Sequence, residues 1–456
     1  MHNDPLFRKR VVVLGFGRQG RALARWLPRL GARVVVSDQS TPELVNGDLS
    51  AFGGVEFVFG GHPESLLEGA DLVCLSGGIP LALPIVQQAI EREIPLSNDA
   101  QLFLERCPAP VIGITGSAGK TTTTTLVGEM LKRTGRKIWV GGNIGDVLLD
   151  VLDQIQPDDQ VVMELSSFQL ELMTVSPRIS AVLNITPNHL DRHGTMEMYT
   201  RAKAQILLHQ SPDDITILSR DNASSRQLEM LTQGEVAWFS GNEMVADGAF
   251  LAGQRLLVVG CSSPDRLPHV VCEQDDIQLR GHHNTLNVLA ACAIAGAAGA
   301  PVDAMADTIR EFQGVAHRLE VVRVLNDVTY VNDSIATAPE RVVAALRSYE
   351  EPLVLLAGGK DKNLPWEEML TLALQKSRHI IAFGHVGDQI VDKVKALSGS
   401  LDAVTRVETL AQAVDQAVKI AQPGDVVLLS PGGTSYDAYV DFVQRGEHFR
   451  QLVMGL

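Results

Sequence analysis

Short apolar runs alternate with helical patterns along the first quarter of the chain. Five runs have the length and apolar character of buried strands, at 11–14, 33–37, 55–58, 72–75 and 94–96. Helical patterns at 19–30 and 84–92 lie between them. Strands that alternate with helices form parallel sheets covered by helices. We therefore expect a Rossmann-like N-terminal domain over residues 1–108.

A second unit begins where prolines at 108 and 110 punctuate the chain. Further strand candidates lie at 111–115, 161–165, 181–185 and 215–219, and helical patterns lie near 119–133, 197–208 and 282–299. Turn-rich alternating runs at 235–280 predict a small antiparallel insert rather than more β–α units. We expect this central domain to span residues 109–314.

The third unit covers residues 315–456 and again predicts a Rossmann-like domain. Two runs at 320–324 and 328–332 predict a hairpin around Asn326-Asp327. Buried-strand candidates at 353–357, 380–383 and 426–429 follow, separated by helical patterns. The fold class predicted for the whole chain is α/β with three domains.

Composition and charge limit the location and the classes of partner that we expect for the chain. Of 456 residues, 45% are apolar and 20% charged, which is typical of a globular protein. There is no apolar run long enough to span a bilayer and no export signal, so we expect a cytoplasmic protein without a membrane partner. We also expect a monomer, although the sequence does not determine the oligomeric state. Five scattered cysteines indicate reduced thiols. A net charge of −15 argues against nucleic-acid binding, so an anionic ligand must be held by local groups.

A glycine-rich turn, Gly15-Phe16-Gly17-Arg18-Gln19-Gly20, follows the first strand and opens a helix. Its glycines permit a tight turn and close approach to a phosphate at a helix N-terminus. Asp38 ends the next strand, about 20 residues on, where it can accept a hydrogen bond from a ribose or base. The motif predicts a nucleotide, with NAD as the obvious candidate and a turn without a ligand as the alternative.

The strongest local signal is Thr115-Gly116-Ser117-Ala118-Gly119-Lys120-Thr121, between a buried strand and a helix. Backbone N–H groups there can cradle phosphates, Lys120 can reach the terminal phosphates, and the Thr121 hydroxyl can ligate Mg²⁺. Ile114 stands where the standard phosphate loop has its first glycine, so the loop is a tighter variant. The motif predicts ATP binding in a P-loop-type central domain.

Three further residues are weaker candidates by themselves. Glu164 ends a strand, where a carboxylate can hold Mg²⁺, although a surface glutamate is the alternative. His189 is by spacing as consistent with a loop histidine as with a metal ligand, since Mg²⁺ prefers oxygen. Lys203 lies within a helical pattern and suggests a solvated face. Near the third domain's start, Arg318 could clamp a phosphate and Asp333 could meet ATP.

Taken together, these blocks resemble the Mur ligases of peptidoglycan synthesis over nearly the whole chain. The resemblance rests on the phosphate loop and on further blocks along the chain: Gly141-Gly142-Asn143-Ile144-Gly145, Glu164-Leu165-Ser166-Ser167-Phe168-Gln169-Leu170, Asn188-His189-Leu190-Asp191-Arg192, Arg201-Ala202-Lys203, His282-His283-Asn284-Thr285-Leu286-Asn287, His317-Arg318, Asn332-Asp333-Ser334, Asp361-Lys362 and Gln444-Arg445-Gly446. It implies an ATP-dependent ligase that adds D-glutamate to UDP-N-acetylmuramoyl-L-alanine through an acyl phosphate.

The resemblance also implies residue roles. ATP would be bound by Gly116, Ser117, Ala118, Gly119, Lys120, Thr121, Thr122, Asn284, Asn287, Arg318 and Asp333. Two Mg²⁺ ions would be held by Thr121, Glu164, His189 and a carbamylated Lys203, with Lys120, His189 and Lys203 catalytic. UDP, rather than NAD, would contact Gly17, Arg18, Gln19, Asp38, Ser76 and Gly78, and Asn143 would contact the sugar-nucleotide. Glutamate would be bound by Lys362, Ser435 and Phe442.

Two positions depart from the family pattern, both around the amino-acid pocket. Ile335 follows Asp333-Ser334 where familiar members carry lysine, and Gly432-Gly433-Thr434 stands where alanine or cysteine is commoner. The alternative is therefore a related ligase that adds L-glutamate to the same precursor. Less favoured hypotheses are a folylpolyglutamate-type ligase, an oxidoreductase and a non-enzymatic ATP switch.

Overall fold

The computed structural model describes residues 4–41, 49–145, 147–279, 281–361 and 364–456. Packing divides the chain into two compact units, Met1–Phe312 and Gln313–Leu456. The first unit contains two sheets and the second unit contains one. Among the described residues, no helix is long and apolar enough to cross a membrane.

The first sheet has five parallel strands, as predicted. Its elements are β1 (Arg10–Leu14), α1 (Arg18–Trp26), β2 (Arg33–Asp38), β3 (Val55–Phe59), β4 (Leu72–Leu75), α2 (Pro84–Glu91), β5 (Leu96–Ser97) and α3 (Asp99–Leu104). The strand order is β3-β2-β1-β4-β5. The helix predicted over 19–30 ends at Trp26 and continues as a 3₁₀ turn, Leu27–Leu30, because Pro28 has no N–H to donate.

The second sheet has nine strands and carries the phosphate loop. Its elements are β6 (Val111–Thr115), α4 (Lys120–Lys132), β7 (Ile138–Gly142), β8 (Gln160–Glu164), α5 (Ser167–Leu170), β9 (Ile179–Val182), α6 (Leu190–His193), α7 (Met196–Leu208), β10 (Ile215–Ser219), α8 (Ala223–Arg226), β11 (Glu235–Ser240), β12 (Gly248–Ala252), β13 (Arg255–Gly260), β14 (Arg266–Glu273), α9 (His282–Ala297) and α10 (Val302–Glu311). The strand order is β14-β13-β12-β11-β10-β9-β6-β8-β7.

The insert predicted at 235–280 is only partly antiparallel. β13 pairs antiparallel with β12 and β14, as expected, but β11 pairs in parallel with both β10 and β12. The insert therefore extends the central sheet instead of forming a separate one. The strand predicted at 181–185 lies two to three residues earlier, at Ile179–Val182, which leaves the following residues free to form a loop.

The first two sheets share one hydrophobic cluster. It runs from Val11 and Phe103 in the first domain to Leu149 and Val161 in the second. Arg25 reinforces it at the surface, donating from Nε and Nη2 to the two carboxylate oxygens of Asp150 at 2.9 and 2.5 Å. Apolar burial of this extent explains why the two domains form one compact unit.

The second unit contains a six-stranded sheet. Its elements are β15 (Glu320–Leu325), β16 (Val328–Asn332), α11 (Pro339–Leu346), β17 (Leu353–Gly358), α12 (Glu367–Lys376), β18 (Ser377–Phe383), α13 (Gly387–Ser398), β19 (Val404–Arg406), α14 (Leu410–Ile420), β20 (Val426–Gly432) and α15 (Phe442–Met454). The order is β15-β16-β20-β17-β18-β19. β15 and β16 form the predicted hairpin, and Asn326 and Asp327 both have positive φ, at 52° and 62°. Two such residues make the turn that matches strand twist.

Candidate active site

The phosphate loop connects the buried strand β6 to α4, and Gly119 is its tightest point. Gly119 has φ +83°, and a Cβ atom there would lie 2.2 Å from Oδ1 of Asn287. Glycine is thus favoured by the backbone angle, and it allows the Asn287 side chain to approach closely. Lys120 starts α4, and its Nζ donates to the carbonyl of Gly116 at 2.7 Å. The ammonium group therefore folds back over the loop, where a bound phosphate would meet it.

The loop that follows β9 anchors the phosphate loop from one side. The Asn184 amide accepts from the Ala118 N–H at 2.9 Å and donates to the Ala118 carbonyl at 3.1 Å. The Ser117 hydroxyl donates to the carbonyl of Thr186 at 3.0 Å and lies 3.0 Å from the Tyr199 hydroxyl. Sequence analysis missed Asn184 and Tyr199. The position of Asn184 just beyond a parallel strand was the available signal.

Glu164 is a buried carboxylate at the end of β8, only 2% exposed, so the surface interpretation was wrong. Its Oε2 accepts from the Thr121 hydroxyl at 2.9 Å, and its Oε1 accepts from Nδ2 of Asn143 at 2.8 Å. A buried carboxylate beside a hydroxyl is a donor set of the oxygen type that Mg²⁺ prefers. These residues fit the metal that the sequence predicted next to the phosphate loop.

Lys203 is 1% exposed on α7, which contradicts the interpretation as a solvated face. Its Nζ donates to the Gly116 carbonyl at 3.0 Å and to the Thr115 hydroxyl at 3.3 Å. Burial, together with the positive charge of Lys120, holds the pKa of Lys203 well below its ordinary value, and Glu164 opposes that shift. The site therefore shifts Lys203 toward the neutral amine, which is the nucleophilic form of lysine.

His189 is exposed and adopts a left-handed backbone, with φ 53°, at the start of α6. Such a conformation costs a non-glycine residue on the order of 1–2 kcal/mol, and strain of this kind concentrates at functional sites. The ring of Phe168 lies against it, with ring centroids 5.1 Å apart. Because Phe168 lies on α5, which follows β8 and Glu164, the contact brings two predicted blocks together.

The N-terminal turn of α9 also borders the phosphate loop. Asn287 is buried, packs against Gly119, and donates from Nδ2 to Oδ1 of Asn284 at 3.0 Å. Thr122 is half-buried on the first turn of α4. The structure thus brings together the phosphate loop, Thr122, Asn284 and Asn287, as the sequence predicted.

The glycine turn of the first domain is held by Asp38. Its carboxylate accepts from the Phe16 N–H at 2.6 Å and from the Ser40 N–H at 2.8 Å. Burial opposes ionisation, but these hydrogen bonds outweigh it and lower the pKa of Asp38. A Cβ atom on Gly20 would lie 1.9 Å from the carbonyl oxygen of Gly15, so the third glycine is obligatory. The carboxylate predicted to meet a ribose or base supports the turn itself.

Arg18 of the same turn reaches the central domain. Its guanidinium donates to the carbonyls of Gly145 at 2.7 Å, Asn143 at 2.8 Å and Gly142 at 3.2 Å. Four other predicted UDP residues follow β1 and β4 at the same carboxyl edge of the sheet: Gly17 and Gly78 are exposed, Gln19 is half-buried and Ser76 is buried. The Gly78 carbonyl accepts from Nη1 of Arg192 at 3.2 Å. The turn is therefore joined to the loop that contains Asn143.

In the second unit, Asp333 is buried at the end of β16 and Arg318 is exposed. Asp333 accepts from the Ser430 hydroxyl at 2.8 Å and from the Leu319 N–H at 3.2 Å. Burial raises the pKa of Asp333 to about 7, although these hydrogen bonds oppose it. The carboxyl group is thus held just beyond the end of β16, next to β20.

Two of the predicted amino-acid residues, Ser435 and Phe442, follow β20 along the chain. Ser435 is buried, and Phe442 is half-buried at the start of α15. Lys362 lies outside the described residues. Sequence analysis did not assign a role to Arg445, which is fully buried and donates to the Gly433 and Ser334 carbonyls at 3.1 and 2.9 Å. Its buried guanidinium fixes the segment that precedes Ser435.

The departure at Gly432 has a local physical reason. Gly432 has φ +73°, and a Cβ atom there would lie 2.9 Å from the ring of Trp366. Trp366 is completely buried and donates from Nε1 to Asp361 at 3.1 Å. The tryptophan ring occupies the space that a side chain at 432 would need.

The other departure from the family pattern is Ile335. Ile335 is half-buried, and its N–H donates to the His317 carbonyl at 3.1 Å.

Comparison with family models matches all three parts of the chain. The Mur ligase MurD-like N-terminal domain matches residues 9–98, the Mur ligase middle domain matches residues 114–295, and the glutamate ligase domain of Mur ligases matches residues 317–433. The matched segments follow one another in the order of the three sheets.

Two relatives match over nearly their whole length. The UDP-N-acetylmuramoylalanine–D-glutamate ligase of Symbiobacterium thermophilum is 41% identical over 456 residues, and that of Pelotomaculum thermopropionicum is 39% identical over 452 residues. In both cases the match covers 98% of each chain.

Solved structures show the same three-domain fold at much lower identity. UDP-N-acetylmuramate–alanine ligase from Thermotoga maritima has a TM-score of 0.55 at 19% identity, covering 98% of this chain and 99% of that one. MurF from Acinetobacter baumannii has a TM-score of 0.56 at 17% identity, covering 98% and 93%. With the phosphate loop, Glu164 and Lys203 assembled on this fold, the chain belongs to the Mur ligase family.

Proposed function

We propose that this chain is an ATP-dependent ligase that adds D-glutamate to UDP-N-acetylmuramoyl-L-alanine in cytoplasmic peptidoglycan precursor synthesis. The observation that carries the proposal is the grouping of the half-buried Lys120 with the buried Glu164 and Lys203 around one phosphate loop. The names of the relatives favour D-glutamate over the L-glutamate alternative. We also propose that the three domains meet after residues 108 and 314.

The phosphate loop and α9 would bind ATP. Loop N–H groups and the α4 N-terminus offer partial positive charge to the phosphates, and Lys120 adds a full charge. Asn284 and Asn287 border the loop, and Arg318 and Asp333 are further proposed ATP contacts. Thr121 and Glu164 would hold one Mg²⁺, and His189 with Lys203 a second. Bound Mg²⁺ would offset charge on the phosphates during transfer.

Lys203 would act as a carbamate. Its buried neutral amine can add to CO₂, forming a carbamate and releasing one proton, and the product is an oxygen ligand of the kind that Mg²⁺ prefers. An unmodified Lys203 beside Lys120 would repel a metal cation when protonated. The carbamate carries a negative charge instead, so the modified side chain would be compatible with a cation site. The low pKa of Lys203 supports the reactive form.

The reaction would proceed in two steps. A carboxylate oxygen of the UDP-sugar attacks the γ-phosphorus and ADP leaves, giving an acyl phosphate. The glutamate amine then attacks the acyl carbon, and phosphate leaves with that carboxylate oxygen. Lys120 would stabilise the charge on the transferring group. Gly17, Arg18, Gln19, Asp38, Ser76, Gly78 and Asn143 would hold the UDP-sugar, and Lys362, Ser435 and Phe442 would hold glutamate.

The test is phosphate release from ATP and Mg²⁺ with UDP-N-acetylmuramoyl-L-alanine, comparing D-glutamate, L-glutamate and no amino acid. We expect release with D-glutamate and background with the other two. Release with L-glutamate alone would move the chain to the alternative ligase and direct attention to Ile335 and Gly432. Release in neither case would refute the substrate assignment.

A further inference from the structure

His193 is the buried centre of a cluster that joins two loops of the proposed site. It ends α6 and is 2% exposed. Its Nε2 lies 2.9 Å from the Ser167 hydroxyl. Its Nδ1 lies 2.8 Å from Oε1 of Glu171, at ion-pair distance but without hydrogen-bond alignment. Ser167 and Glu171 both belong to the segment that follows Glu164, so the imidazole connects α6 to that segment.

Aromatic contacts extend the same connection. The His193 ring is stacked on Phe168, with centroids 5.3 Å apart and planes 5° apart, and lies 5.0 Å from the ring of Tyr199. Phe168 also contacts the ring of His189. Tyr199 in turn reaches Ser117 of the phosphate loop. The buried His193 ring therefore contacts Phe168 on α5 and Tyr199 on α7. Through these two rings it is linked to His189 and to the phosphate loop.

The short helix α6 needs such an anchor. It has only four residues, and it is preceded by His189, whose left-handed backbone is unfavourable. A single helical turn has too few hydrogen bonds to be stable by itself. Its position must therefore come from tertiary contacts, and the His193 side chain provides polar and stacking contacts together.

We infer that His193 is a positioning residue, which holds His189 in place by fixing α6 against the Ser167–Leu170 helix and Glu171. This inference rests on the proposed function, in which His189 holds the second metal ion. A nucleophilic role for Ser167 with His193 and Glu171 is excluded by access, since Ser167 is 3% exposed. The role inferred for His193 is structural support of His189, not contact with substrate.

Three variants separate positioning from simple packing. His193→Phe keeps the ring stacking and loses both polar contacts. His193→Gln places an amide near the position of Nε2 and keeps the Ser167 contact. His448→Phe is the matched control, since His448 also lies 2.8 Å from a hydroxyl, that of Tyr439, and next to its ring, but in the second unit.

The main readout is Mn²⁺ binding, followed by electron paramagnetic resonance, with adenylyl imidodiphosphate and UDP-N-acetylmuramoyl-L-alanine present. We expect wild type and His448→Phe to bind two ions per chain. His193→Phe should keep the tighter ion and lose at least tenfold in affinity for the second, whereas His193→Gln should stay within threefold. In turnover, His193→Phe should raise the Mg²⁺ concentration for half-maximal rate with little change in the KM for ATP.

Wild-type affinity for both ions in His193→Phe would overturn the inference. A wild-type chain that binds no Mn²⁺ beyond that held by free nucleotide would instead refute the proposed function. If thermal melting shows that His193→Phe does not fold, Ser167→Ala takes its place, because it removes only the partner of Nε2. Weakening of the second ion in Ser167→Ala by more than threefold would support the inference, and affinity within threefold of wild type would overturn it.

Discussion

The chain contains two glycine turns that both connect a parallel strand to a helix, and they are used differently. In the first, after β1, Asp38 holds the turn and Arg18 bonds to carbonyls of another domain. In the second, after β6, Lys120 folds back over its own loop beside the buried Glu164 and Lys203. The same local geometry therefore supports a domain contact in one place and a charged site in the other. Turn shape alone does not assign chemistry; the side chains brought in from distant elements do.

The largest difference between the turns should come from their basic residues. Lys120→Met removes the charge that would offset the transferring phosphoryl group, so we expect kcat to fall by at least about 10²-fold, in line with the loss of one strong electrostatic contact. The measurement is steady-state phosphate release with all three substrates saturating. A loss below tenfold would remove the distinction drawn between the two turns.

Arg18→Met should have a smaller and different effect. Losing three hydrogen bonds to the 142–145 loop should raise the KM for the UDP-sugar by about tenfold, or roughly 1–2 kcal/mol, with the KM for ATP unchanged. Arg25→Met, which removes another contact between the same domains, is the control and should affect stability more than KM. Equal changes in both KM values would mean that Arg18 acts only through overall folding.

Replacing a glycine of each turn by alanine should lower the unfolding free energy by different amounts. Gly20→Ala brings a Cβ against backbone at 1.9 Å and should lower the unfolding free energy by about 1–3 kcal/mol. Gly119→Ala meets a side chain, Asn287, which can move, so we expect about 1 kcal/mol of lost stability from the positive φ. Chemical denaturation measures both. A larger stability loss for Gly119→Ala would contradict the assignment.

The smallest effect concerns Asp38 and pH. Its pKa is lowered in the folded state, so its contribution to stability is present above the ordinary aspartate pKa and is lost as pH falls through the folded value. Asp38→Asn should therefore cost less than about 1 kcal/mol at pH 7, given partial exposure, and nothing under strongly acidic conditions. Melting of both proteins across the pH range checks this. A difference that grows on acidification would reverse the sign and contradict it.

Much of this picture was predictable, and the misses share a cause. Buried strands, the hairpin at Asn326 and the phosphate loop are encoded by nearby residues and were predicted correctly. The environment of Lys203 was not, because a helical pattern shows which residues share a face and not what packs against that face. The Arg18 contacts join positions more than 120 residues apart, which local spacing cannot reveal.

The resemblance to a family supplied what local patterns left open. By spacing alone, His189 was no better as a ligand than as a loop histidine, and the first turn suggested NAD. The structure adds the left-handed backbone of His189 and the pinned carboxylate of Asp38. It also explains the glycine at position 432, because the Trp366 ring occupies the space that a side chain there would need. No sequence pattern indicated this contact.

The central claim is that the second turn uses ATP to activate a carboxylate of the ligand held by the first. Its most direct test is turnover of UDP-N-acetylmuramoyl-L-alanine labelled with ¹⁸O in the alanine carboxylate, with the released phosphate analysed by ³¹P NMR. We predict that each turnover transfers one ¹⁸O atom to phosphate. Phosphate that carries no label, formed together with the amide product, would contradict the acyl-phosphate mechanism.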